Sequence, residues 1–301
     1  MNIINKLITN TIPLLPKFAV KLIANNYVAG ELPQEALKKV KYLNSKGYHV
    51  TIDLLGEHIN DNTEVKKITS IYSNLLDSIS NESLKCNISV KPTHIGLDIS
   101  AEEFNNNCYA LVRKASKLNN FVRLDMENSK TTSQTISTFE KINRDFGCIG
   151  TVFQAYLKRT IDDILKYSKP INFRLCKGIY NESSSISFKN KDEINENYLK
   201  VAELAFKKKH YIGLATHDIY LIEKIYELIE KYNVNKNNFE FQVLYGVPMH
   251  GWLEKHLKNN FKVRIYLPYG PQWYEYSIRR LKENPSIAKH VAKSLLSNRD
   301  Y

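Results

Sequence analysis

KVRIYLPYGPQWYEYSIRRLKEN (residues 262–284) reads as one complete unit, a short apolar, β-branched and aromatic run followed by a turn and a helix. In that helix Tyr276, Arg279, Arg280 and Glu283 fall at i, i+3, i+4 and i+7, a stripe that in most helices is apolar. Tyr274, Ile278 and Leu281 form a separate stripe that can hold the helix against a scaffold. Two planar guanidiniums on one face suit recognition of a small carboxylate or phosphate in a water-poor site. Spacing alone favours a solvated face in which Arg279 or Arg280 pairs with Glu283, because exposed ion pairs are common. Both readings stay open at this level.

Seven similar runs precede this one: HVTIDLLG (49–56), NISVKPTHIG (87–96), FVRLDMEN (121–128), GTVFQAY (150–156), INFRLCKG (171–178), IGLATHD (212–218) and FEFQVLYG (239–246). Stretches of helical period lie between them, such as SQTISTFEKINRDFG, NENYLKVAELAFKKKH and IYLIEKIYELIEKYN. Eight alternations with no Gly/Ser-rich break predict an α/β chain with a single (βα)8 barrel of parallel strands, a fold of typically ~250 residues. The barrel is assigned to residues 46–301, and 1–45 to an N-terminal helical segment. A doubly wound open sheet comes second, because the GxGxxG signature expected after an early strand is absent.

The runs begin apolar and end in residues able to do chemistry: Glu57, Lys91, Asp125, Gln154, Lys177, Thr216, His217 and Tyr266. In a parallel barrel all strand ends open on one face, where active sites of this fold lie, so these positions converge although they are distant in sequence. Such convergence, followed by the two-arginine helix, points to an enzyme.

Composition limits the alternatives. The net charge of +12 comes mostly from lysines scattered along helical stretches, with one compact cluster at Lys207, Lys208 and Lys209. Scattered lysine reads first as solvated surface; a nucleic-acid binder would lack any helix-turn-helix, zinc or RNP pattern here and would leave the polar strand ends unexplained. Cys86, Cys108, Cys148 and Cys176 are too few and too widely spaced for a disulfide framework, and neither CxxC nor HExxH occurs, so no metal is expected. The opening thirty residues are basic and moderately apolar but are broken by Asn10, Pro13 and Pro16, unlike a signal peptide. No apolar run approaches the ~20 residues of a membrane span. A cytoplasmic chain with reduced cysteines follows.

IDLLGE, VKPT, FVRLDMENS, QAYLKRT, RLCKGIYNE, ATHD, FQVLYGV and RIYLPYG followed by YEYSIRRLKENP resemble, in order, the strand-end motifs of the proline dehydrogenase family. The resemblance runs from about Tyr27 to Pro285, and RLxKGxY with YxxRRLxEN is its most specific part. It implies a free-standing, monofunctional enzyme on a distorted TIM barrel, since 301 residues leave no room for the aldehyde dehydrogenase domain of bifunctional relatives. The implied activity is FAD-dependent oxidation of L-proline to Δ1-pyrroline-5-carboxylate, the first step of proline catabolism, by hydride transfer from C5 to flavin N5. The family usually passes the electrons to a membrane quinone. Another FAD-binding barrel, such as methylenetetrahydrofolate reductase, is the rival enzymatic reading.

Carried over onto this sequence, the resemblance gives Arg279, Arg280 and Lys91 the substrate carboxylate. Asp125 holds this cationic group in place and borders the cofactor. Tyr180, Tyr266 and Tyr276 pack against the proline ring. Gln154, Arg174, Lys177, Gly178 and Arg280 reach the flavin, with Arg174 near N5. Thr216, His217 and Glu283 contact the adenosine half. Glu57 closes the site as a gate by pairing with the first arginine of the doublet. Tyr245, in LYG, stands where related chains carry histidine. No residue is an obvious base for the proline amine; Lys91 would need a strongly depressed pKa to serve. Lys6, Lys17 and Lys21, with Leu14, Leu15, Phe18, Leu22 and Ile23, suit either an amphipathic helix lying peripherally on the inner face of the cell membrane or a helix packed across the barrel.

Overall fold

In the computed structural model the described residues are 20, 21, 24 and 26–283, with side chains through Ile278. A first helix, α1 (Pro33–Ser45), leads into β1 (His49–Leu54). Strands and helices then alternate: α2 (Asn62–Asn81), β2 (Cys86–Val90), α3 (Ala101–Lys117), β3 (Val122–Leu124), α4 (Ser129–Phe146), β4 (Ile149–Gln154), α5 (Thr160–Leu165), β5 (Asn172–Cys176), α6 (Lys191–Lys207), β6 (Tyr211–Ala215), α7 (Ile219–Lys231), β7 (Phe239–Leu244), α8 (Trp252–Lys258), β8 (Val263–Tyr269) and α9 (Trp273–Glu283). The strands close in sequence order, and the seam is a six-residue parallel pairing of β1 with β8, from His49 beside Arg264 to Leu54 beside Tyr269. All eight expected strands form, and closure removes the open-sheet alternative.

Local chemistry fixes where the helices start. Asp61, Ser100, Asn128, Asn190 and Asp218 each accept a hydrogen bond from a first-turn amide of the helix that follows, satisfying a donor the helix leaves free. Each of these helices presents an apolar stripe inward, for example Tyr72, Leu75 and Leu76 on α2 and Leu221, Ile222 and Ile225 on α7. That stripe meets the outward strand residues, including Ile52, Ile88, Leu124, Phe173, Leu214, Phe241 and Ile265, all nearly or fully inaccessible. Each such side chain contributes about 1.5–3 kcal/mol by burial, so this outer shell supplies most of the stability.

The barrel interior is different. Strand pairing places Thr51 and Asp53, Asn87 and Ser89, Arg123, Arg174, Glu240 and Gln242, and Arg264 and Tyr266 on the inward parity, where branched apolar residues usually fill a barrel. Small residues make room for the long ones. A Cβ on Gly150 would lie 2.3 Å from Arg123 Nη1, and one on Gly213 would lie 2.3 Å from Gln242 Nε2.

The described N-terminal residues pack on this barrel. Val20 and Ala24 are buried, Lys21 pairs with Glu31 at 3.1 Å, and Ala29 N donates to Pro268 O at 2.9 Å, alongside the end of β8. Lys6, Leu14, Leu15, Lys17, Phe18, Leu22 and Ile23 lie outside the described residues. Among the described residues no helix is long and apolar enough to cross a membrane.

Three buried histidines make the fold sensitive to acid. Burial holds the imidazoles of His210 and His256 down at about 4 and that of His94 at about 3. His210 Nδ1 accepts from the amide of Ile171, which requires that nitrogen to be unprotonated, and His256 stacks on Phe241 with ring centroids 3.8 Å apart. Unfolded histidine titrates near 6.5, so their contribution is complete above that pH. It is lost as pH falls from 6.5 toward 4, because the unfolded chain then takes up protons that the folded chain excludes. Denaturant midpoints should drop between pH 7 and pH 5; a midpoint that is flat over this interval would show that these rings are not held neutral.

Candidate active site

At the C-terminal end of the barrel four strands converge on two acid–base pairs. Lys91, just beyond β2, folds back onto neighbouring β1 so that its Nζ lies 2.7 Å from both Asp53 carboxylate oxygens. Asp125, just beyond β3, reaches across the barrel: its Oδ1 accepts from Arg174 Nη1 at 2.6 Å and from Ser89 Oγ at 2.7 Å, and its Oδ2 accepts from Tyr266 Oη at 2.8 Å. The Arg174 guanidinium lies over the Tyr266 ring, 4.9 Å from its centroid, and Arg174 Nε donates to Gln242 Oε1 at 2.6 Å. Asp53, Asp125 and Arg174 are all under one-tenth exposed.

These contacts set the protonation states. Burial alone would push the Lys91 ammonium toward neutrality, but the charges of Asp53 and Asp125 outweigh it and hold its pKa above the ordinary value. Burial raises the Asp53 carboxyl, with Lys91 opposing. The Tyr266 hydroxyl is pushed well up by burial and then by the adjacent Asp125, so it remains a proton donor.

Polar atoms at this face are left over. Among the described residues, Arg174 Nη2 and Gln154 Oε1 are buried without a hydrogen-bond partner. Gln154 is oriented by its amide nitrogen, which donates to Glu127 O at 3.3 Å, while the Glu127 carboxylate accepts from Thr93 N and Oγ1 at 2.8 and 2.6 Å. An unsatisfied buried donor and acceptor each carry a penalty of about 1–3 kcal/mol, which a ligand presenting the complementary groups removes.

A separate group lies toward β5 and β6. Lys177 Nζ donates to Asp218 Oδ2 at 2.6 Å, Thr216 Oγ1 accepts from Asp218 N at 3.1 Å, and His217 Nε2 accepts from Leu244 N at 3.0 Å. Gly178 follows with φ +105°, and a Cβ there would lie 2.0 Å from the Tyr156 ring, so only glycine permits this approach. Tyr245 is partly exposed, with Lys39 Nζ 5.6 Å from its ring centroid. Glu57, in the loop after β1, Tyr180, in the loop after β5, and Tyr276, on α9, are partly exposed. Arg279, Arg280 and Glu283 belong to α9, and their side chains, with the expected pairing of Glu57 to Arg279, lie outside the described residues.

One expected contact is corrected. Asp125 holds Arg174 and Tyr266, whereas the residue that holds Lys91 is Asp53. The reason is the pleat: Asp53 pairs in register with Ser89, two residues before Lys91, so the lysine finds its acid on the adjacent strand. Asp53, Ser89 and Gln242 escaped the sequence reading because it looked at strand ends. The signal that reveals them is alternation, polar at every second position of strands that are otherwise apolar.

The sequence family described as proline dehydrogenase matches residues 36–293. Proline dehydrogenase 1 of Bacillus subtilis (strain 168) is 35% identical over 288 residues, covering 94% of this chain and 95% of the relative. Proline dehydrogenase of Deinococcus radiodurans is 31% identical over 282 residues, covering 91% and 90%. Among solved structures, proline utilization A (PutA) from Bdellovibrio bacteriovorus inactivated by N-propargylglycine superposes with a TM-score of 0.80 at 23% identity, over 92% of this chain. This chain spans about a third of that one (34%), and the likeness establishes the barrel fold.

The Asp53–Lys91 pair makes a measurable claim. Asp53→Asn leaves a buried ammonium without its acid and should destabilise the protein by about 3–5 kcal/mol in chemical denaturation. Adding Lys91→Met should restore part of that loss, giving a coupling energy well above 1 kcal/mol. Additive losses would mean that the two groups do not depend on each other.

Proposed function

This chain belongs to the proline dehydrogenase family, and on that premise we propose that it oxidises L-proline to Δ1-pyrroline-5-carboxylate with FAD at the C-terminal mouth of the barrel. The match over residues 36–293 carries the assignment. FAD, when bound, supplies the hydride acceptor for proline C5. The residues present suit a flavin: its ring carries both hydrogen-bond donors and acceptors, and Gln154 Oε1 and Arg174 Nη2 offer the complements without a partner among the described residues. Gln154, Arg174, Lys177 and Gly178 are the residues proposed to hold the ring and its side chain, and Thr216, His217 and Tyr245, with Glu283, the rest of the cofactor. Residues 46–301 are assigned the catalysis and 1–45 a helical appendage.

Asp125 acts on Arg174. A carboxylate at 2.6 Å fixes the direction of the guanidinium's remaining donors, so a charge-assisted bond to the electron-rich edge of a reduced ring would require little reorganisation. Lys91 is better suited to anchor than to act as a base, because its neighbours favour the ammonium. Its acid partner already neutralises it, however. Lys91 and Asp53, and Arg174 and Asp125, form two balanced pairs, so the substrate carboxylate calls for a further cation. Arg279 and Arg280 on α9 are the residues proposed for it, and Tyr180, Tyr266 and Tyr276 for packing around the pyrrolidine ring. Glu57 is the proposed gate. Proline must lose its amine proton before or during transfer, and deprotonation by solvent on binding is the route proposed here.

The electron acceptor proposed is a membrane quinone, reached by a cytoplasmic enzyme that touches the membrane peripherally through the basic, apolar N-terminal segment. The opening sequence, with Lys6 and Lys17 among apolar residues, supports this contact.

The decisive measurement is the visible spectrum of purified protein with L-proline added anaerobically. A yellow flavin that bleaches supports the assignment, and a bound flavin that does not respond to proline defeats it. Replacing Arg279 or Arg280 by Met should raise the KM for proline by at least tenfold, with the flavin retained, because a charge-assisted contact contributes about 1.5–3 kcal/mol. An unchanged KM in both variants returns the doublet to a solvated face.

A further inference from the structure

Opposite the mouth, the N-terminal end of the barrel holds a cavity of about 240 Å³, bordered by Arg123, Lys262, Arg264, Glu240, Asn87 and Tyr211, among others. Three cations and one carboxylate line it, leaving two positive charges in excess. Glu240 Oε1 accepts from Arg264 Nε and Gln242 Nε2, both at 2.6 Å, and its Oε2 is buried without a hydrogen-bond partner among the described residues, so this one carboxylate is shared among the three cations.

Arg123 is the unusual member. It is 3% exposed, yet it has no carboxylate within ion-pair range among the described residues. Its hydrogen bonds go to neutral oxygens: Thr151 O at 2.8 Å, Asn172 O at 3.3 Å and Asn172 Oδ1 at 2.6 Å. The other inward cations near the barrel axis, buried Arg174 and the partly buried Lys91 and Arg264, each sit against an acid. Burial, with Arg174 and Arg264 nearby, pulls the Arg123 pKa down to about 9 against the opposing charge of Glu240, the response of a charge that is only partly compensated. Lys262, partly exposed at the rim, donates to Tyr211 Oη at 3.4 Å and adds a cation on the solvent side.

We propose that this N-terminal cavity binds a small oxyanion, of the phosphate or carboxylate type, between Arg123 and Lys262. An oxyanion supplies the charge that Arg123 lacks and acceptor oxygens for guanidinium and ammonium donors, the pairing in which such groups bind most strongly. The volume admits an ion of phosphate size with ordered water, and the polar lining suits both. The cavity lies at the end of the barrel opposite the proposed proline chemistry, and Lys262, whose printed hydrogen bond goes to Tyr211, is not a member of the hydrogen-bonded chain that joins Gln242 to Arg174.

Isothermal titration of the flavin-loaded full chain, with inorganic phosphate in one arm and acetate in the other, at constant ionic strength, tests this. One-to-one binding should be seen in at least one arm, weakened at least tenfold in Lys262→Met and unchanged in Lys91→Met. The arm that binds identifies the class of oxyanion. Flavin bleaching by proline should be the same in Lys262→Met as in wild type, which keeps the result separate from the catalytic assignment. No saturable binding in either arm, binding unaffected by Lys262→Met, or binding lost in Lys91→Met would each overturn the proposal, the last by placing the ion at the opposite mouth.

Discussion

Everything at the mouth of this barrel depends on one chain of hydrogen-bonded charges that runs up its axis. Arg264 pairs with Glu240, Glu240 accepts from Gln242, Gln242 accepts from Arg174, and Arg174 pairs with Asp125, which also holds Tyr266. Buried ion pairs of this kind seldom add stability over an apolar filling of equal volume, because desolvation offsets the attraction. Their worth lies in orientation. Each group fixes the next, so a side chain at the reactive face is directed by residues several ångströms beneath it.

The two shells of the molecule therefore divide the work. Outward strand residues and helix stripes bury apolar surface and stabilise the fold, while the inward parity is released from that duty and carries charge. Gly150 and Gly213 are part of the same arrangement, since any side chain there would occupy the space of Arg123 or Gln242. Removing one member leaves its partner buried and unpaired, which is why such a column resists piecemeal substitution more than an apolar core does.

The architecture was legible because each strand–helix unit writes its own pattern: eight β-branched or aromatic runs with helical periods between them. The strand-end residues Lys91, Asp125 and Tyr266, and with them Arg174 from the same motifs, were legible as a convergent set. Who pairs with whom was not. Asp125 contacts a residue 49 positions away and Tyr266 one 141 positions away, and nothing local in the sequence distinguishes Arg174 from Lys91 as the partner of an aspartate. Pairing follows from register and strand parity, which exist only once the barrel closes. Asp53 illustrates the point: within IDLLG it looks like one polar residue in an apolar run, and its role appears only when β1 lies beside β2.

The seam between β1 and β8 has a consequence for how the chain acquires its structure. Val50 lies beside Ile265, and Ala29 bonds to Pro268, so the last contacts to close join residues more than two hundred positions apart. Ordering so long a loop carries an entropic penalty that local contacts cannot repay, which makes closure a late event. On the ribosome β1 emerges first and must wait for β8, exposing an unpaired strand edge in the interval. The nascent chain is accordingly most prone to misassociation while its β1 edge still lacks a neighbour.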